Sequence, residues 1–362
     1  MRLGLLTGGG DAPGLNAVIR AVVKTARRHY GDDVVGIRDG YEGLLTPDGV
    51  IPMEIDDVRG ILPRGGTVLG TANRGNPFAR RIVENGIEKL VDVSDEVLER
   101  IVALGLDALI VVGGDGTMRI SHELVQKGCP IIGVPKTIDN DIGGTDVSFG
   151  YDTAVNFAME AIDRLHTTAE AHHRVMVVEL MGRDAGFIAL RAGIAGGADA
   201  ILIPEIPFEL NAVCDTIRER AEGGRHFSIL AVAEGARPTD GEQVFVEAGD
   251  GLRLPRLGGI GYQVADAVAR RTGMETRVTV LGHLQRGGSP TAFDRWLATR
   301  FGAAAVRLAH TNGMGRMVAV QGTRIVDVSL ADALAVPKRV DPSCDAIETA
   351  RGMGISLGVG EV

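Results

Sequence analysis

Short runs of hydrophobic residues recur along the chain, and longer segments with apolar positions at helical spacing separate them. Runs of this length that are rich in Val, Ile, Leu and Ala are typical of strands buried on both faces of a parallel sheet. They predict strands over residues 2–7, 108–112, 130–134, 174–180, 200–203, 228–233 and 277–282.

The intervening segments predict helices over residues 14–30, 151–168 and 258–272, because their apolar residues recur three or four positions apart. Alternation of strands and helices predicts an α/β fold with right-handed crossovers. Residues 237–257 interrupt the alternation and predict an excursion or a hairpin. The chain from about residue 327 is less regular, and we expect it to pack on the surface.

The composition is that of an ordinary globular protein. The 362 residues allow two domains, with 45% hydrophobic and 23% charged residues. A net charge of −9 argues against nucleic acid or an anionic membrane as partner. The three cysteines form no C-x-x-C pair, and no apolar run suits a signal peptide or a membrane span. We therefore predict a cytoplasmic protein.

Glycines, carboxylates and arginines follow almost every predicted strand. Ligands of open α/β sheets bind beyond the carboxyl ends of the strands, so these loops form the candidate site. Ordinary turns use glycine and aspartate too, an alternative that weakens as the number of such loops grows. The loops are "GGGDAPG" (8–14), "GGDGT" (113–117), "PKTIDND" (135–141), "MGR" (181–183), "PE" (204–205), "EG" (234–235), and "H" with "QRGG" (283, 285–288).

Two of these loops suit a polyphosphate. In "GGGDAPG", glycines let the backbone approach phosphate at the start of a helix, although a plain tight turn would use them as well. In "GGDGT", Asp115 offers an oxygen ligand for Mg²⁺, Gly116 leaves space beside it, and Thr117 caps the next helix or contacts phosphate.

The stretch "PKTIDND" supplies a candidate base. Asp139 and Asp141 lie two residues apart, and on an extended segment their side chains would point the same way. Phosphoryl transfer to an alcohol uses one carboxylate to accept the hydroxyl proton and a metal to offset developing charge. An Asx-turn with solvated charges is the alternative interpretation.

Arginine and histidine residues at strand ends complete the candidate set. The planar guanidinium group suits phosphate recognition, whereas an isolated surface arginine more often forms an ion pair. The set comprises Arg174, Arg183, Arg277, His283 and Arg286.

Together these motifs resemble the 6-phosphofructokinase family of the bacterial type. "LTGGGDAPGLNAVIR", "GGDGT", "PKTIDND", "VELMGRDAGFIAL" and "ETRVTVLGHLQRGGSPTAFDR" occur in the order typical of that family, across about residues 1–310. The "PKT" form and the long tail are similar to the mixed-substrate group common in actinobacteria.

The resemblance implies two Rossmann-like three-layer α/β/α domains with mostly parallel sheets. Residues 1–150 with about 285–312 would bind the phosphoryl donor. Residues 151–284 with the C-terminal segment would bind the sugar phosphate, and residues 327–362 would form a surface tail. It also implies a homodimer or homotetramer, because the family's counterparts of Arg174 and Arg277 reach a neighbouring subunit's site.

The resemblance further implies a role for each site residue. Asp139 would deprotonate the 1-hydroxyl of fructose 6-phosphate, with Thr137, Lys136, Arg183 and Gly9 completing the catalytic set. Mg²⁺ would bind Asp115, with Asp141 nearby. The donor would contact Gly9, Tyr41, Arg74, Gly113, Gly114, Asp115, Gly116 and Thr117. The sugar phosphate would contact Thr137, Asp139, Arg174, Met181, Gly182, Arg183, Glu234, Arg277, His283 and Arg286.

Two positions bear on the donor and the sugar. Pyrophosphate-using relatives carry Asp where Gly116 stands, so Gly116 predicts ATP, while Lys136 is compatible with either donor. The segment "GTANRGNPF" (70–78) is one residue longer than the family pattern around its transition-state arginine, for which Arg74 is the counterpart. This difference leaves another acceptor open, such as sedoheptulose 7-phosphate.

Two further alternatives belong to other functional classes. A kinase of NAD or of a lipid would explain "GGDGT" but not "TIDND", "MGR" or "LGHLQRGG". A non-catalytic sugar-phosphate sensor would not require Asp115, Asp139 and Arg183 together.

Overall fold

A computed structural model gives the structure of residues 1–72, 75–84, 87–247 and 256–360. The chain forms two compact units, and it passes between them more than once. The first unit comprises Met1–Thr137, Asp141–Asp152 and Arg286–Pro337. The second comprises Ile138–Asn140, Thr153–Gln285 and Lys338–Val362.

The strands are β1 (Arg2–Thr7), β2 (Asp33–Ile37), β3 (Val50–Pro52), β4 (Arg80–Glu84), β5 (Ile87–Val91), β6 (Ala108–Gly113), β7 (Ile131–Thr137), β8 (Phe149–Gly150), β9 (Val175–Leu180), β10 (Ala200–Leu202), β11 (Ser228–Ala233), β12 (Phe245–Glu247), β13 (Arg256–Leu257), β14 (Thr276–Val280), β15 (Arg316–Gln321) and β16 (Arg324–Ser329). The α-helices are α1 (Leu15–Thr25), α2 (Ser94–Ala103), α3 (Asp115–Gln126), α4 (Tyr151–His172), α5 (Phe187–Ala195), α6 (Leu210–Glu222), α7 (Ile260–Thr272), α8 (Ala292–His310), α9 (Leu330–Ala335) and α10 (Asp345–Gly352).

The first unit is built on a sheet with the order β16-β15-β7-β6-β1-β2-β3, and β8 pairs with β7. Its central pairs are parallel, while β3 and β16 join antiparallel at the two edges. Every residue of β6 and β7 is buried, which explains the apolar sequence of β6 and of β7 up to Val134.

Successive residues of the central strands enter cores on opposite faces of this sheet. Ile110 packs in the core that contains residues of α1 and α8, and Val111 packs in the core that contains residues of α2 and α3. This alternation follows from the two-residue period of a strand, and it makes the unit a three-layer α/β/α structure.

The second unit has a smaller parallel sheet with the order β10-β11-β9-β14. One face packs against α6 and α7, with Val177 and Val232 in the same core as Ile217 and Val264. Helix α5 lies on the other face, where a Cβ added to Gly193 would stand 2.7 Å from the Ile201 side chain. Both units are therefore Rossmann-like, and the predicted α/β class is confirmed.

All seven predicted strands and all three predicted helices are present, with ends shifted by up to four residues. The helix predicted over 14–30 is α1 followed by a π-helical turn at Ala26–Tyr30. Within the 237–257 excursion, β12 and β13 pair antiparallel. None of the helices in the described ranges is long and apolar enough to cross a membrane.

The chain beyond residue 327 differs from the expected surface tail. It ends β16 and forms α9 and α10, with Leu330 and Ala333 buried in the first unit and Ile347 and Ala350 buried in the second. Ser356 also forms a parallel bridge with Ala200 at the edge strand β10. Short amphipathic segments of this kind carry too few periods to reveal their buried face in the sequence.

A buried carboxylate stabilises the start of α7. The helix has no acidic residue in its first turn, and its N-cap, Gly259, provides no side chain. Glu179, which is 2% exposed in β9, accepts hydrogen bonds from the Gly259 amide at 3.0 Å and the Gly261 amide at 2.8 Å. A negative charge is favoured there, since unpaired N–H groups and the helix dipole make this end positive.

We expect Glu179→Ala to lower the free energy of unfolding of the second unit by about 2–5 kcal/mol, because one buried and one partly buried amide lose their acceptor and a cavity remains. Urea unfolding followed by circular dichroism measures the change. Glu222→Ala removes an exposed carboxylate from α6 and serves as the control. Equal unfolding midpoints for the two variants would contradict this role of Glu179.

Candidate active site

The glycine-rich loop after β1 lies in the first unit at the edge where β6 also ends. The Gly8 amide donates to the Val112 carbonyl at 2.9 Å, and Gly9 has a φ of +73°. This left-handed conformation strains any residue with a side chain, and a Cβ on Gly9 would stand 3.2 Å from Thr117 Oγ1. The loop therefore brings bare backbone next to the "GGDGT" turn, as close approach to phosphate requires.

Two cationic side chains hold the carbonyl groups of this loop. Lys136 is buried at the end of β7, and its ammonium group donates to the Gly10 carbonyl oxygen. Arg286 donates from Nη1 to the Asp11 carbonyl oxygen at 3.2 Å. Lys136 and Arg286, the latter predicted as a sugar-phosphate ligand, thus both lie in the first unit beside the glycine loop, where their charge favours an anion.

The "GGDGT" turn joins β6 to α3. Gly113 ends the strand, Gly114 is the N-cap, and Asp115–Thr117 form the first helical turn. The Asp115 carboxylate receives two hydrogen bonds from Arg119, at 2.8 Å from Nε and 3.0 Å from Nη2. A Cβ on Gly116 would meet no atom within 4 Å, so the space beside Asp115 is open.

Tyr41 lies behind this turn. Its side chain is buried, and its hydroxyl group is 2.9 Å from Ser121 Oγ, which donates to the Thr117 carbonyl oxygen at 2.8 Å. Burial raises the pKa of the Tyr41 hydroxyl well above its ordinary value. In this position Tyr41 supports the first turns of α3 through Ser121. The sequence pattern did not predict this contact between Tyr41 and Ser121.

The segment that precedes Arg74 is fastened to the glycine loop, whereas Arg74 itself lies outside the described residues. Thr71 Oγ1 donates to the Gly9 carbonyl oxygen at 2.5 Å. Asn16 donates from Nδ2 to the Arg64 carbonyl oxygen at 3.1 Å and accepts from the Val68 amide at 2.9 Å. Asn16 was not among the predicted site residues. The available signal was its place as a polar residue among the apolar residues of α1.

The stretch that follows β7 crosses from one unit to the other. Thr137 ends the strand in the first unit, Asp139 belongs to the second, and Asp141 is in the first again. Asn140 has a φ of +58°, so the segment is not extended there. We predicted that Asp139 and Asp141 point the same way because we assumed an extended segment. That assumption is wrong, because a left-handed residue between them breaks the alternation of a strand.

In the second unit, the loops after β9 and β11 meet. Met181, Gly182 and Arg183 follow β9, and the Arg183 amide donates to Glu234 Oε1 at 3.1 Å. Burial raises the pKa of the Glu234 carboxyl to about 7, and the negative charge of Asp139 contributes to the rise. The Arg183 amide thus contacts Glu234, and the buried Asp139 is near enough for its charge to act on the Glu234 carboxyl.

Arg174 and Arg277 lie at the opposite edge of the same sheet. Both pair with Glu275, Arg174 through Nε at 3.0 Å, and these contacts lower the pKa of the Glu275 carboxyl, with the Arg174 contact the largest cause. Arg174 precedes β9 and Arg277 is the second residue of β14, whereas Arg183 follows the carboxyl end of β9. A strand of this length separates the two edges by roughly 20 Å, so these arginines do not reach Arg183 of their own chain.

His283 follows the carboxyl end of β14 and is exposed. It is therefore at the same edge of the second sheet as Arg183 and Glu234. Within the described residues, His, Cys, Asp and Glu side chains form no group of three or more that could hold a metal ion. Within these residues, Asp115 and Asp141 thus do not belong to a group of three or more such side chains.

The chain is similar to curated proteins over nearly its whole length. It is 53% identical over 357 residues to the ATP-dependent 6-phosphofructokinase of Chloroflexus aggregans, covering 99% of this chain and 98% of that protein. It is also 53% identical over 345 residues to the pyrophosphate–fructose 6-phosphate 1-phosphotransferase of Streptomyces coelicolor, covering 95% and 97%. The relative named for ATP and the relative named for pyrophosphate thus have the same percentage identity to this chain.

A solved structure and a family model agree with these relatives. The phosphofructokinase of Saccharomyces cerevisiae is 34% identical, with a TM-score of 0.77, and the match covers 92% of this chain and 45% of the yeast chain. The model of the phosphofructokinase family matches residues 2–309. The chain belongs to the phosphofructokinase family.

Proposed function

We propose that this protein is an ATP-dependent 6-phosphofructokinase, which phosphorylates fructose 6-phosphate at its 1-hydroxyl group in glycolysis. The observation that carries the proposal is the grouping in the second unit of Asp139, which follows β7, with Arg183 and Glu234, which follow β9 and β11. The names of relatives at about 50% identity support the same reaction.

Asp139 is the base of this reaction. The sugar's 1-hydroxyl oxygen forms a bond to the γ-phosphorus of ATP, its proton passes to the Asp139 carboxylate, and the bond from phosphorus to the bridging oxygen breaks to release ADP. Arg183 and Glu234 hold the sugar phosphate with Met181, Gly182, Thr137, His283 and Arg286. The left-handed Arg183 and its amide bond to Glu234 fix the loop that presents these groups.

The donor's phosphates bind at the glycine loop and the "GGDGT" turn of the first unit. Bare backbone at Gly9, the N-terminus of α3 and the cations Lys136 and Arg286 all favour negative charge there. Tyr41 contributes by supporting α3, and we retain Arg74 as the transition-state arginine on the family pattern alone.

Asp115 suits Mg²⁺, with Asp141 as a second carboxylate. Protein sites for Mg²⁺ use one or two carboxylates together with substrate phosphates and water, so a cluster of three protein ligands is not needed. The Asp115 side chain is 37% exposed beside the open space at Gly116, and the ion would compete with Arg119 for it. When bound, Mg²⁺ offsets the charge on the phosphoryl oxygens.

The choice of ATP rests on Gly116. A carboxylate at this position would add a like charge near the donor, at a cost of roughly 1–4 kcal/mol for a separation of about 4 Å. Pyrophosphate is the second candidate, because Lys136 is compatible with it and the Streptomyces coelicolor relative is named for it. Arg174 and Arg277 support a homo-oligomer, since each would serve a neighbouring subunit's site, and we expect a cytoplasmic location.

A coupled assay with both donors tests the proposal. We expect turnover of fructose 6-phosphate with a higher kcat/KM for ATP than for pyrophosphate, and a lower kcat/KM for sedoheptulose 7-phosphate. Higher turnover with pyrophosphate would reverse the donor assignment. No turnover of any sugar phosphate would favour a kinase of another substrate, and sugar-phosphate binding without turnover would favour a sensor.

A further inference from the structure

The excursion between β11 and α7 brings a polar side chain to the two substrate loops of the second unit. Its first part is anchored by the Thr239 amide, which donates to the Phe208 carbonyl oxygen at 2.9 Å. Its far end returns where the Gly258 amide donates to the Val244 carbonyl oxygen at 3.2 Å. Gln243 lies between these anchors and is half-buried.

The Gln243 side chain joins the loop after β9 to the loop after β11. Its Nε2 donates to Asp184 Oδ1 at 3.1 Å and to the Gly235 carbonyl oxygen at 3.1 Å. Both partners are acceptors only, so the amide nitrogen, and not the amide oxygen, must face them. Asp184 follows Arg183 and Gly235 follows Glu234, so Gln243 binds the two residues next to the proposed sugar-phosphate ligands.

The two loops have little freedom to separate without disturbing Arg183. A Cβ placed on Gly235 would stand 1.9 Å from the Arg183 carbonyl oxygen, so the two backbones are in direct contact. Arg183 is in the left-handed conformation, with a φ of +50°, which costs free energy unless its surroundings hold it. The Glu234 bond holds the Arg183 amide from one side, and Gln243 holds the next residue.

We propose that Gln243 is a positioning residue for the sugar phosphate: its amide group clamps the loops after β9 and β11 so that Arg183 and Glu234 keep the geometry that binds this substrate. The proposal rests on the proposed function, because it concerns the same site. It also assigns a role to the 237–257 excursion. Gln243 lies in the first half of this excursion and belongs to none of the motifs at the strand ends.

The isosteric change Gln243→Glu tests the clamp. A glutamate has no N–H to donate, and its carboxylate faces the Asp184 carboxylate and the Gly235 carbonyl, so two attractive contacts become repulsive. We expect KM for fructose 6-phosphate to rise about tenfold and KM for ATP to change less than about twofold. Gln243→Ala, which loses the bonds without adding charge, should raise the sugar-phosphate KM by about threefold.

Gln263→Glu is the matched control, because it adds the same charge at an exposed glutamine of α7. The proposal would be overturned if KM for fructose 6-phosphate were unchanged in both Gln243 variants. It would also be overturned if KM for fructose 6-phosphate and KM for ATP rose equally while Tm fell. In either case Gln243 would only stabilise a turn. Calorimetric binding of fructose 6-phosphate to the variants gives a second readout. Failure of the proposed function is distinct, since the unmodified enzyme would then show no fructose 6-phosphate turnover.

Discussion

Replacing Asp139 with Asn lowers kcat for fructose 6-phosphate by about 10²–10⁴-fold, the usual contribution of a positioned general base. The amide has nearly the same shape as the carboxylate but cannot accept the proton of the 1-hydroxyl group. Asp139 is buried close to Arg183 and Glu234, so solvent does not readily replace it. KM for both substrates should change little, because the ligands that hold them remain.

Steady-state kinetics at saturating ATP measure this effect. Asp163→Asn, which removes an exposed carboxylate from α4, controls for the loss of one negative charge. The Asp139 variant should also retain calorimetric binding of fructose 6-phosphate. A kcat within about threefold of the unmodified enzyme would show that another group accepts the proton, since removing a general base costs far more than that.

The core of each sheet could be predicted from the sequence because its strands are buried on both faces. β6 and β11 are continuously apolar, so their pattern needs no knowledge of partners. β16 was missed because it lies at the edge of the sheet and its residues are half-buried or exposed, whereas β2 was missed although four of its five residues are buried. The edge strands depend on pairing, which a local pattern does not contain.

The candidate site, like the sheets, could be predicted only in part from the sequence. The loops after β6, β7, β9 and β11 were predicted because strand ends and their polar residues are adjacent in sequence. Gln243 was missed, because one of its partners is 59 residues away and it belongs to no periodic segment. Asn140 overturned the extended-segment argument, since a left-handed residue between two aspartates leaves no mark in a hydrophobic pattern.

Replacing Gly116 with Asp should shift the donor preference from ATP towards pyrophosphate. The site accepts the side chain, because a Cβ on Gly116 meets no atom within 4 Å and the backbone is helical. Aspartate in the first turn of α3 is also favourable to the helix, so folding should be preserved. The effect then falls on the donor, where the added charge costs roughly 1–4 kcal/mol, or about 5- to 1000-fold in kcat/KM for ATP.

Gly116→Asn separates charge from size, since asparagine fills the same space without the negative charge. If the carboxylate acts by repulsion, the Asn variant keeps most of its ATP-dependent activity, and raising the salt concentration partly restores the Asp variant. Assays with both donors at constant Mg²⁺ measure the ratio of the two kcat/KM values. Equal loss of ATP activity in both variants would mean that space, rather than charge, makes glycine necessary beside Asp115.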